Sequence, residues 1–404
     1  MRPLAGVNVP SGTFTGVSPN DFPSPPSPWQ GEGGRGNEGI KLPIARRKTR
    51  QVNVGGVTIG GDAPIRVQSM CSTDTGNVQA TVDQILRLEE SGCEIVRVAV
   101  PDRDAARALP AIKSRIHIPL VADIHFDYEL ALESMEAGVD KVRINPGNVL
   151  VKHGWKGVEA VAESARRHRI PIRIGVNSGS IEAPLLEKYG HPTPEAAVES
   201  AMGHVRLLEK LEFHDIVLSV KFSDVPRTIA AYRLLSESTN YPLHLGVTES
   251  GTSWTGTVKS AIGLGTLLAE GIGDTVRVSL TTPDKTEEVR VAYEILKSLE
   301  LRARGPVLTS CPTCGRTEVD LLNLAHRVED ALAGVKTELH VAVMGCVVNG
   351  PGEAAEADLA VVGGRGAVAL YRKGRFLRRV PESEAGKALL EEIDAWEAQG
   401  QREE

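Results

Sequence analysis

The stretch PLVADIHFDYELALESMEAGVDKVRIN (119–145) contains a short apolar strand, a polar turn, an amphipathic helix and a second strand. The same unit repeats from residue 64 onwards. Eight strands are predicted, at 65–68, 95–100, 119–123, 141–145, 172–177, 216–221, 243–249 and 275–279. Eight helices are predicted, at 81–91, 102–115, 128–137, 157–168, 194–211, 226–238, 257–269 and 284–299. Because no glycine-rich fingerprint follows the first strand, this pattern favours a (β/α)₈ TIM-type barrel over an open, doubly wound sheet.

Length and charge limit the classes of protein to consider. A chain of 404 residues accommodates such a barrel and a second domain of about a hundred residues. Its 46 basic and 52 acidic residues give a net charge of −6, so no overall basic field suggests nucleic acid or an anionic membrane. No apolar stretch reaches the roughly 18 residues of a membrane span and no signal-peptide pattern opens the chain, which predicts a cytoplasmic protein. The odd count of five cysteines fits a reducing compartment.

Changes in composition divide the chain into three parts. Residues 1–45 are rich in glycine and proline without hydrophobic periodicity, as in a disordered extension or after a start codon assigned too far upstream. Residues 46–300 form the predicted barrel, preceded by a β-hairpin in RQVNVGGVTIGG (50–61). Residues 301–404 begin with a polar linker and predict a small α+β domain with antiparallel strands.

Four predicted strands carry an arginine between branched apolar residues, and neighbouring strand ends carry further polar residues. The two-residue alternation of a strand places these arginines in the lumen near the mouth, where TIM barrels have their active sites. Several cations at one mouth predict a substrate with about two to four negative charges, although structural ion pairs with acidic residues are an alternative. The predicted binding residues are Arg97, Arg143, Asn145, Arg173, Asn177, Lys221, Arg277 and Ser279. Asp123, His125 and Glu249 are the titratable residues predicted beside them.

Three cysteines in the second domain suggest a metal site. Cys311 and Cys314 form a CxxC motif, and Cys346 follows 32 positions after Cys314. A structural zinc site requires a fourth cysteine or histidine, and a thioredoxin-like pair leaves Cys346 without a role. Three thiolates suit a cubane iron–sulfur cluster better, with one iron left for another ligand. Glu353, after a tight turn predicted for Asn-Gly-Pro-Gly, is a candidate for that ligand, and a solvated loop glutamate is the alternative.

Long motifs in both domains carry a family resemblance. SCPTCGRT, MGCVVNGPGEA, KVRINPGN, IRIGVNSGS, VKSAIGLG and GIGDTVRVSL resemble those of 4-hydroxy-3-methylbut-2-enyl diphosphate synthases. The similarity extends from about residue 46 to about residue 385. One departure is VQSMC, where the family usually has threonine in place of Cys71.

The resemblance implies a specific reaction and cofactor. It implies a TIM-type barrel that binds 2-C-methyl-D-erythritol 2,4-cyclodiphosphate, and a C-terminal domain resembling ferredoxin/sulfite reductase modules. It also implies a 4Fe–4S cluster on Cys311, Cys314, Cys346 and Glu353. The implied reaction is reductive ring opening with loss of water, with two electrons from reduced flavodoxin or ferredoxin. Glu249 and Asp123 are the predicted proton donors, because the expelled hydroxide must leave as water.

Linker length leads to a prediction about assembly. The eighth helix of a (β/α)₈ barrel ends far from the mouth, and ten linker residues reach at most roughly 35 Å. We therefore expect a head-to-tail homodimer in which each site joins one chain's barrel to the other chain's cluster domain, the alternative being a monomer whose domain folds back. The functional alternatives are a non-catalytic cluster carrier and a zinc-dependent hydrolase of a phosphorylated sugar.

Overall fold

The computed structural model describes residues 44–400 except positions 126, 303, 347 and 365. The predicted disordered extension therefore lies outside the described residues up to position 43. The described chain forms two compact units, one of residues 44–307 with 333–339 and one of residues 308–332 with 340–400. Among the described helices, none combines the length and the hydropathy that a membrane span requires.

A β-hairpin opens the first unit, as predicted. Strands β1 (Val52–Val54) and β2 (Val57–Ile59) pair antiparallel. Gly55 and Gly56 form the turn with positive φ values of 56° and 92°, a conformation that favours glycine. The apolar side chains of the hairpin pack on three lumen-facing residues, and these are Ile95, Val121 and Val217. The hairpin therefore covers the interior of the strands that follow.

Eight parallel strands form the predicted barrel. They are β3 (Arg66–Met70), β4 (Ile95–Ala99), β5 (Leu120–Asp123), β6 (Lys141–Ile144), β7 (Ile172–Asn177), β8 (Ile216–Lys221), β9 (His244–Leu245) and β10 (Thr275–Val276). Their spatial order is β8-β7-β6-β5-β4-β3-β10-β9. A parallel bridge between Leu218 on β8 and Leu243, just before β9, connects the two edge strands and closes the barrel. The last two strands are shorter than predicted.

Helices surround the strands and cover their outer faces. They are α1 (Val78–Ser91), α2 (Arg103–Lys113), α3 (Tyr128–Glu136), α4 (Pro146–His168), α5 (Ala183–Tyr189), α6 (Pro194–Glu209), α7 (Val225–Ser238), α8 (Ser253–Ala269) and α9 (Thr286–Ser298). Side chains of Asp102, Thr193 and Asp224 accept backbone N–H bonds at the starts of α2, α6 and α7, as N-cap residues do.

Two features of the helix layer differ from the prediction. Helix α4 begins directly after β6 and bends at Gly154 (φ 67°, ψ −170°), whereas the predicted helix covers only the part after this bend. Helix α5, preceded by a 3₁₀ turn at Ser178–Ser180, was not predicted because seven residues are too few to show a helical period.

Strand register determines which side chains share the lumen. Val142, Ile172 and Ile174 belong to the large core between strands and helices. The residues that alternate with them point to the opposite face, which is the lumen. In register across three strands, Asp123 lies beside Arg143, and Arg143 lies beside Arg173.

The second unit contains a mixed five-stranded sheet. Its strands are β11 (Val307–Ser310), β12 (His340–Met344), β13 (Leu359–Gly364), β14 (Ala367–Arg372) and β15 (Arg375–Pro381), in that spatial order. Strands β12 and β13 are parallel, and β13, β14 and β15 are antiparallel. The helices are α10 (Leu321–Leu332), α11 (Gly350–Glu356) and α12 (Ala385–Gly400). Strands β11 and β15 were not predicted.

The tight turn predicted at Asn-Gly-Pro-Gly is wrong. Gly350 begins α11, and Pro351 occupies the first turn of this helix. Proline suits that position, because its missing N–H would have no partner inside the helix and its φ is already helical.

Candidate functional site

A buried carboxylate lies between two arginines in the barrel lumen. Asp123 Oδ1 is 3.0 Å from Arg143 Nη1, and Asp123 Oδ2 is 3.5 Å from Arg97 Nε. Asp123, Arg143 and Arg97 are only 4%, 6% and 9% exposed, respectively. They come from the adjacent strands β4, β5 and β6. The register pairs Asp123 directly with Arg143, whereas Arg97 pairs with Val121 and reaches Asp123 diagonally.

Two uncharged residues, Gly175 and Met70, help to position the arginines. Arg143 Nη2 donates to the carbonyl oxygen of Gly175 at 3.2 Å, and a Cβ at Gly175 would lie 2.6 Å from Arg143 Nε. Gly175 therefore leaves the space that the guanidinium occupies. Arg97 donates from Nε and Nη2 to the sulfur of Met70, at 3.2 and 2.8 Å.

The arginines change the protonation of Asp123. Burial by itself would raise the pKa of this carboxyl group, but Arg97, Arg143 and Arg173 together hold the pKa well below its usual value. Asp123 is therefore ionised at neutral pH. An ionised carboxylate held by two guanidinium groups is suited to positioning them, and the proton-donor role of Asp123 stays a prediction.

His125 lies beside this pair at the solvent side. Its ring nitrogens are 3.2 and 3.3 Å from Arg143 Nη1, and its Nε2 is 3.7 Å from Asp123 Oδ1. Burial, opposed by Asp123 and assisted by Arg143, lowers the pKa of His125. The imidazole is therefore predominantly neutral at pH 7.

Two further cations lie in the lumen. Arg173 is fully buried, and burial together with Arg97 and Arg143 holds its pKa well below the usual value. Burial and the proximity of Arg173 have the same effect on the pKa of Lys221. Lys221 lies against Gly246, since a Cβ there would be 2.6 Å from Lys221 Nζ. Both residues lie near the Arg97 and Arg143 cluster, as the sequence predicted.

Arg277 is connected to a carboxylate that sequence reasoning did not find. Glu288, on α9 and 1% exposed, has its Oε2 3.7 Å from Arg277 Nη2. The same oxygen accepts from Ser69 Oγ at 3.1 Å, and Oε1 accepts from Lys285 Nζ at 2.9 Å. Arg277 is also close enough to Arg97 to contribute to lowering its pKa, which burial chiefly brings to about 10.

The polar residues at the strand ends form hydrogen bonds with the loops of the mouth. Asn145 Nδ2 donates to the carbonyl of Ser180 at 3.4 Å, and the N–H of Asn177 donates to Ser180 Oγ at 3.0 Å. Ser279, half-buried, accepts through its carbonyl from the hydroxyl of Ser250. Loops after β7, β9 and β10 are thereby held by the predicted residues.

Glu249 is an exposed residue on the loop after β9. It has a φ of 51°, a left-handed conformation that is strained for a residue with a Cβ. Among the described residues, no ion pair within 4 Å joins Glu249 to a basic side chain. An accessible carboxylate on a constrained loop therefore follows β9.

Backbone hydrogen bonds in the second unit bring the CxxC loop alongside the end of β12. The N–H of Cys311 donates to the carbonyl of Val343 at 3.1 Å, and the N–H of Glu318 donates to the carbonyl of Gly345 at 3.0 Å. A Cβ at Gly345 would lie 3.0 Å from Thr317 Cγ2, so only a glycine permits this approach without displacement. Cys346 follows immediately, so its loop and the CxxC loop are neighbours.

The three cysteines differ in exposure. Cys314 is exposed, Cys311 is half-buried and Cys346 is buried, and all three are free thiols. Hydrogen bonds from Arg316, first from its backbone N–H, lower the pKa of Cys314. Glu353 is exposed in the first turn of α11. In the part of the chain that the structure describes, no three His, Cys, Asp or Glu side chains are gathered closely enough to hold a metal ion.

The donor set nevertheless suits an iron–sulfur group. Free thiols on two hydrogen-bonded loops are soft ligands of the kind that iron–sulfur clusters use, and a hard cation would require oxygen ligands. The other two cysteines, Cys71 and Cys93, are buried in the first unit, and burial raises the pKa of each to about 12. Cys93 is a core residue, as expected.

Comparison with known proteins agrees with both units. The family model of the GcpE TIM-barrel domain matches residues 49–293, and that of the GcpE protein C-terminal domain matches residues 307–395. Solved structures such as Yersinia pestis dihydropteroate synthase share 15% identity with a TM-score of 0.45, over 62% of this chain and 97% of that chain. That likeness is too low to support an argument.

Curated relatives are much more similar and share one name, 4-hydroxy-3-methylbut-2-en-1-yl diphosphate synthase (flavodoxin). The protein from Geobacter sulfurreducens is 59% identical over 86% of this chain and 98% of its own length. Those from Clostridium perfringens and Geobacillus thermodenitrificans are 56% and 55% identical, over 86% and 87% of this chain and 99% and 93% of their own lengths. The family resemblance of the sequence motifs is thus confirmed, and the chain belongs to the GcpE family of 4-hydroxy-3-methylbut-2-en-1-yl diphosphate synthases.

Proposed function

We propose that this chain converts 2-C-methyl-D-erythritol 2,4-cyclodiphosphate into 4-hydroxy-3-methylbut-2-enyl diphosphate, a step of isoprenoid precursor biosynthesis. The relatives' shared name supports this reaction. The observation that carries the proposal is the buried group of Arg97, Arg143 and Arg173, for which Asp123 is the one carboxylate within 4 Å among the described residues. One carboxylate does not balance three guanidinium groups, so a bound anion stabilises the arrangement.

The substrate's charge matches the lumen. Arginine forks bind pairs of phosphate oxygens, and Lys221 adds a point charge. In our proposal, Arg97, Arg143, Arg173, Lys221 and Arg277 bind the two phosphates, and Asn145, Asn177 and Ser279 orient them. Asp123 is then a positioning residue that holds Arg97 and Arg143 apart from each other.

The overall reaction determines which other groups are required. The cyclic diphosphate dianion takes up two electrons and one proton and gives the product trianion and one water. A carbon–oxygen bond to phosphate and a carbon–hydroxyl bond break, and the hydroxyl oxygen leaves as water. Glu249 is our proposed proton donor, because it is the exposed carboxylate among the predicted acids of the mouth.

Electrons require a redox cofactor. We propose that Cys311, Cys314 and Cys346 would hold a 4Fe–4S cluster, with Glu353 as a weaker fourth ligand. Such a cluster supplies electrons one at a time. Reduced flavodoxin is the proposed donor, as the relatives' name indicates, with ferredoxin as the second candidate. A cluster of this kind suits the reducing cytoplasm, which is our proposed location.

An anaerobic preparation distinguishes the proposed enzyme from the two alternatives. The protein is purified without oxygen, its absorbance is recorded, and it is supplied with the cyclic diphosphate and reduced flavodoxin. A brown protein that absorbs broadly near 400 nm, bleaches on reduction and forms the product supports the proposal. A brown protein without turnover indicates a cluster carrier, and a colourless protein with stoichiometric zinc indicates a hydrolase.

Removing one cation of the proposed phosphate site tests the role of the barrel residues. Arg277→Ala should weaken binding of the cyclic diphosphate by about 2–5 kcal/mol, because a desolvated charged partner is lost. Calorimetric titration measures the change. Arg290→Ala is the matched control, since its side chain on the same helix as Glu288 is 69% exposed. A loss below about 0.5 kcal/mol for Arg277→Ala would remove this residue from the site.

A shared active site is tested by mixing two inactive variants. We propose a homodimer in which each barrel works with the partner's cluster domain, because the linker is short compared with the length of a barrel. Glu249→Gln and Cys311→Ser should each be inactive, and subunit exchange should restore activity through mixed dimers with one intact site. Recovery near one quarter of the wild-type rate is expected from random pairing. Exchange that is complete and yields no activity would show that each chain works alone.

A further inference from the structure

A lysine without a partner lies below the arginine cluster. Lys141 begins β6, is 0% exposed, and its Nζ has no hydrogen-bond partner among the described residues. Its strand neighbour is Val121, which packs under the hairpin, and Arg143 lies two residues further along the same face. Lys141 is therefore a lumen residue one level deeper than Arg143.

Other polar atoms at this depth also have no partner among the described residues. Gln68 has no bond from either side-chain polar atom, and Arg173 has none from Nε and Nη1. His244 uses Nδ1 with Thr275 Oγ1 at 2.7 Å, and its Nε2 has no partner. Buried polar atoms are normally paired, so this layer is arranged for a state of the protein that differs in charge or in occupancy.

Cationic side chains outnumber carboxylates around the lumen. The cationic side chains that face the lumen or its mouth are Arg97, Lys141, Arg143, Arg173, Lys221 and Arg277. The buried carboxylates facing them are Asp123 and Glu288, and Glu288 also pairs with Lys285. The other titratable groups of this cluster are His125, Tyr232 and His244. Arginine does not deprotonate in proteins, so only the lysines and the two histidines, His125 and His244, can lower this excess of positive charge.

Lys141 is the lysine for which the charge is least favourable. It is more deeply buried than Lys221, and no carboxylate within 4 Å balances it among the described residues. Burial, reinforced by Arg173 and Arg97, holds the pKa of Lys141 well below its usual value. A diphosphate dianion bound to the arginines would reverse this local potential.

We propose that Lys141 is uncharged in the free protein and takes up one proton when a diphosphate binds to the arginines above it. The inference rests on the proposed function, since it assigns a role toward the same substrate. The amine gains a proton from solvent and no other bond changes. Lys141 is a positioning residue: it acts on the substrate through Arg173 and supplies the positive charge only once the anion is present.

Proton uptake is measured by calorimetric titration of the full-length, anaerobically purified protein with the cyclic diphosphate. Titrations at one pH near 7.5 in buffers of different ionisation enthalpy give the number of protons taken up. The cyclic diphosphate has no group that titrates near neutrality, so this proton belongs to the protein. We expect about one proton for the wild type, and an affinity that falls as the pH rises above neutrality.

Two variants assign the proton to Lys141. Lys141→Met should bind at least ten-fold more weakly and without proton uptake. Lys141→Arg carries a permanent charge, so it should bind without uptake and with an affinity that no longer falls as the pH rises. Uptake that persists in either variant would assign the proton to Lys221, His125 or His244 and overturn the proposal. Binding by the wild type without uptake would overturn it as well.

A measurement without substrate separates this inference from the proposed function. Methionine fills nearly the same volume as lysine without an amine to desolvate, so Lys141→Met should raise the melting temperature of the free protein by about 2–4 °C. A lower melting temperature would contradict an unpaired amine in the free protein. If the wild type does not bind the cyclic diphosphate, the proposed function fails, and this comparison still decides whether Lys141 lacks a partner.

Discussion

Replacing Asp123 by asparagine is expected to lower the free energy of unfolding of the barrel unit by about 3–5 kcal/mol at pH 7. Asp123 is the carboxylate that pairs with both Arg97 and Arg143, at 3.5 and 3.0 Å. An amide of the same size removes the negative charge and leaves both guanidinium groups buried without compensation. Arg173 adds to the repulsion, because it lies beside Arg143 in the strand register.

The effect should depend on pH in a defined direction. The pKa of Asp123 is lowered in the folded protein, so its contribution to stability is fully present above the unfolded carboxyl pKa of about 3.9. The contribution is lost as the pH falls from there through the lowered folded pKa. Urea unfolding should therefore show the full difference between wild type and Asp123→Asn at pH 7, and a smaller difference below about pH 4.

A matched variant separates this effect from loss of a surface charge. The side chain of Asp104 on α2 is 87% exposed and pairs with Arg107 at 3.4 Å, so Asp104→Asn should change the free energy of unfolding by less than about 1 kcal/mol. Equal stabilities of Asp123→Asn and Asp104→Asn would mean that the buried arginines have another counter-charge in solution.

Replacing Cys346 by serine is expected to reduce turnover by more than about 100-fold, beyond the usual effect of losing an outer-shell partner of a metal site. Cys346 is the buried member of the proposed cluster ligands, and a neutral hydroxyl is a poor substitute for a thiolate. Iron content and absorbance near 400 nm should fall together with activity, measured on anaerobically purified protein.

Cys93→Ser is the control for loss of a buried thiol. Cys93 is buried in the core of the barrel unit, and its thiol donates to the carbonyl of Ile95 at 3.1 Å. Its substitution should leave the iron content unchanged. A Cys346→Ser protein that retains wild-type iron content would exclude Cys346 as a ligand.

The architecture of the barrel and the lumen position of the arginines could be predicted from the sequence alone. The apolar–Arg–apolar pattern is local, and a strand alternates its side chains whatever the rest of the chain does. Arg143 and Arg173 therefore had to share a face, and the register confirms that they are neighbours. The CxxC spacing and Cys346 likewise indicated the cluster residues, which remain a prediction.

Only the tertiary structure decided which charges compensate each other. The sequence left open whether the arginines pair with acidic residues, and the structure shows that Asp123 pairs with both Arg97 and Arg143. Glu288, which contacts Ser69 and Lys285, looked like one of two adjacent acids in the first turn of a helix, a position where glutamate is common. Lys141 looked like a polar residue at the start of a strand. The two-residue alternation places Lys141 on the same face as Arg143, but only the folded structure shows that its amine has no partner there among the described residues. Glu288 could not be identified from a pattern, because its burial results from the packing of other elements around it.

The turn at Asn-Gly-Pro-Gly shows the same limit at short range. Proline and glycine are compatible with both a tight turn and the first turn of a helix. Packing decides between them here: Ala354 of α11 belongs to the apolar cluster beneath the sheet, and a Cβ at Gly350 would lie 2.2 Å from Val362. Alternation and spacing are properties of a segment, and the sequence determines them by itself. Contacts between buried groups involve segments that are far apart in the chain, so only the folded structure determines which of these groups meet.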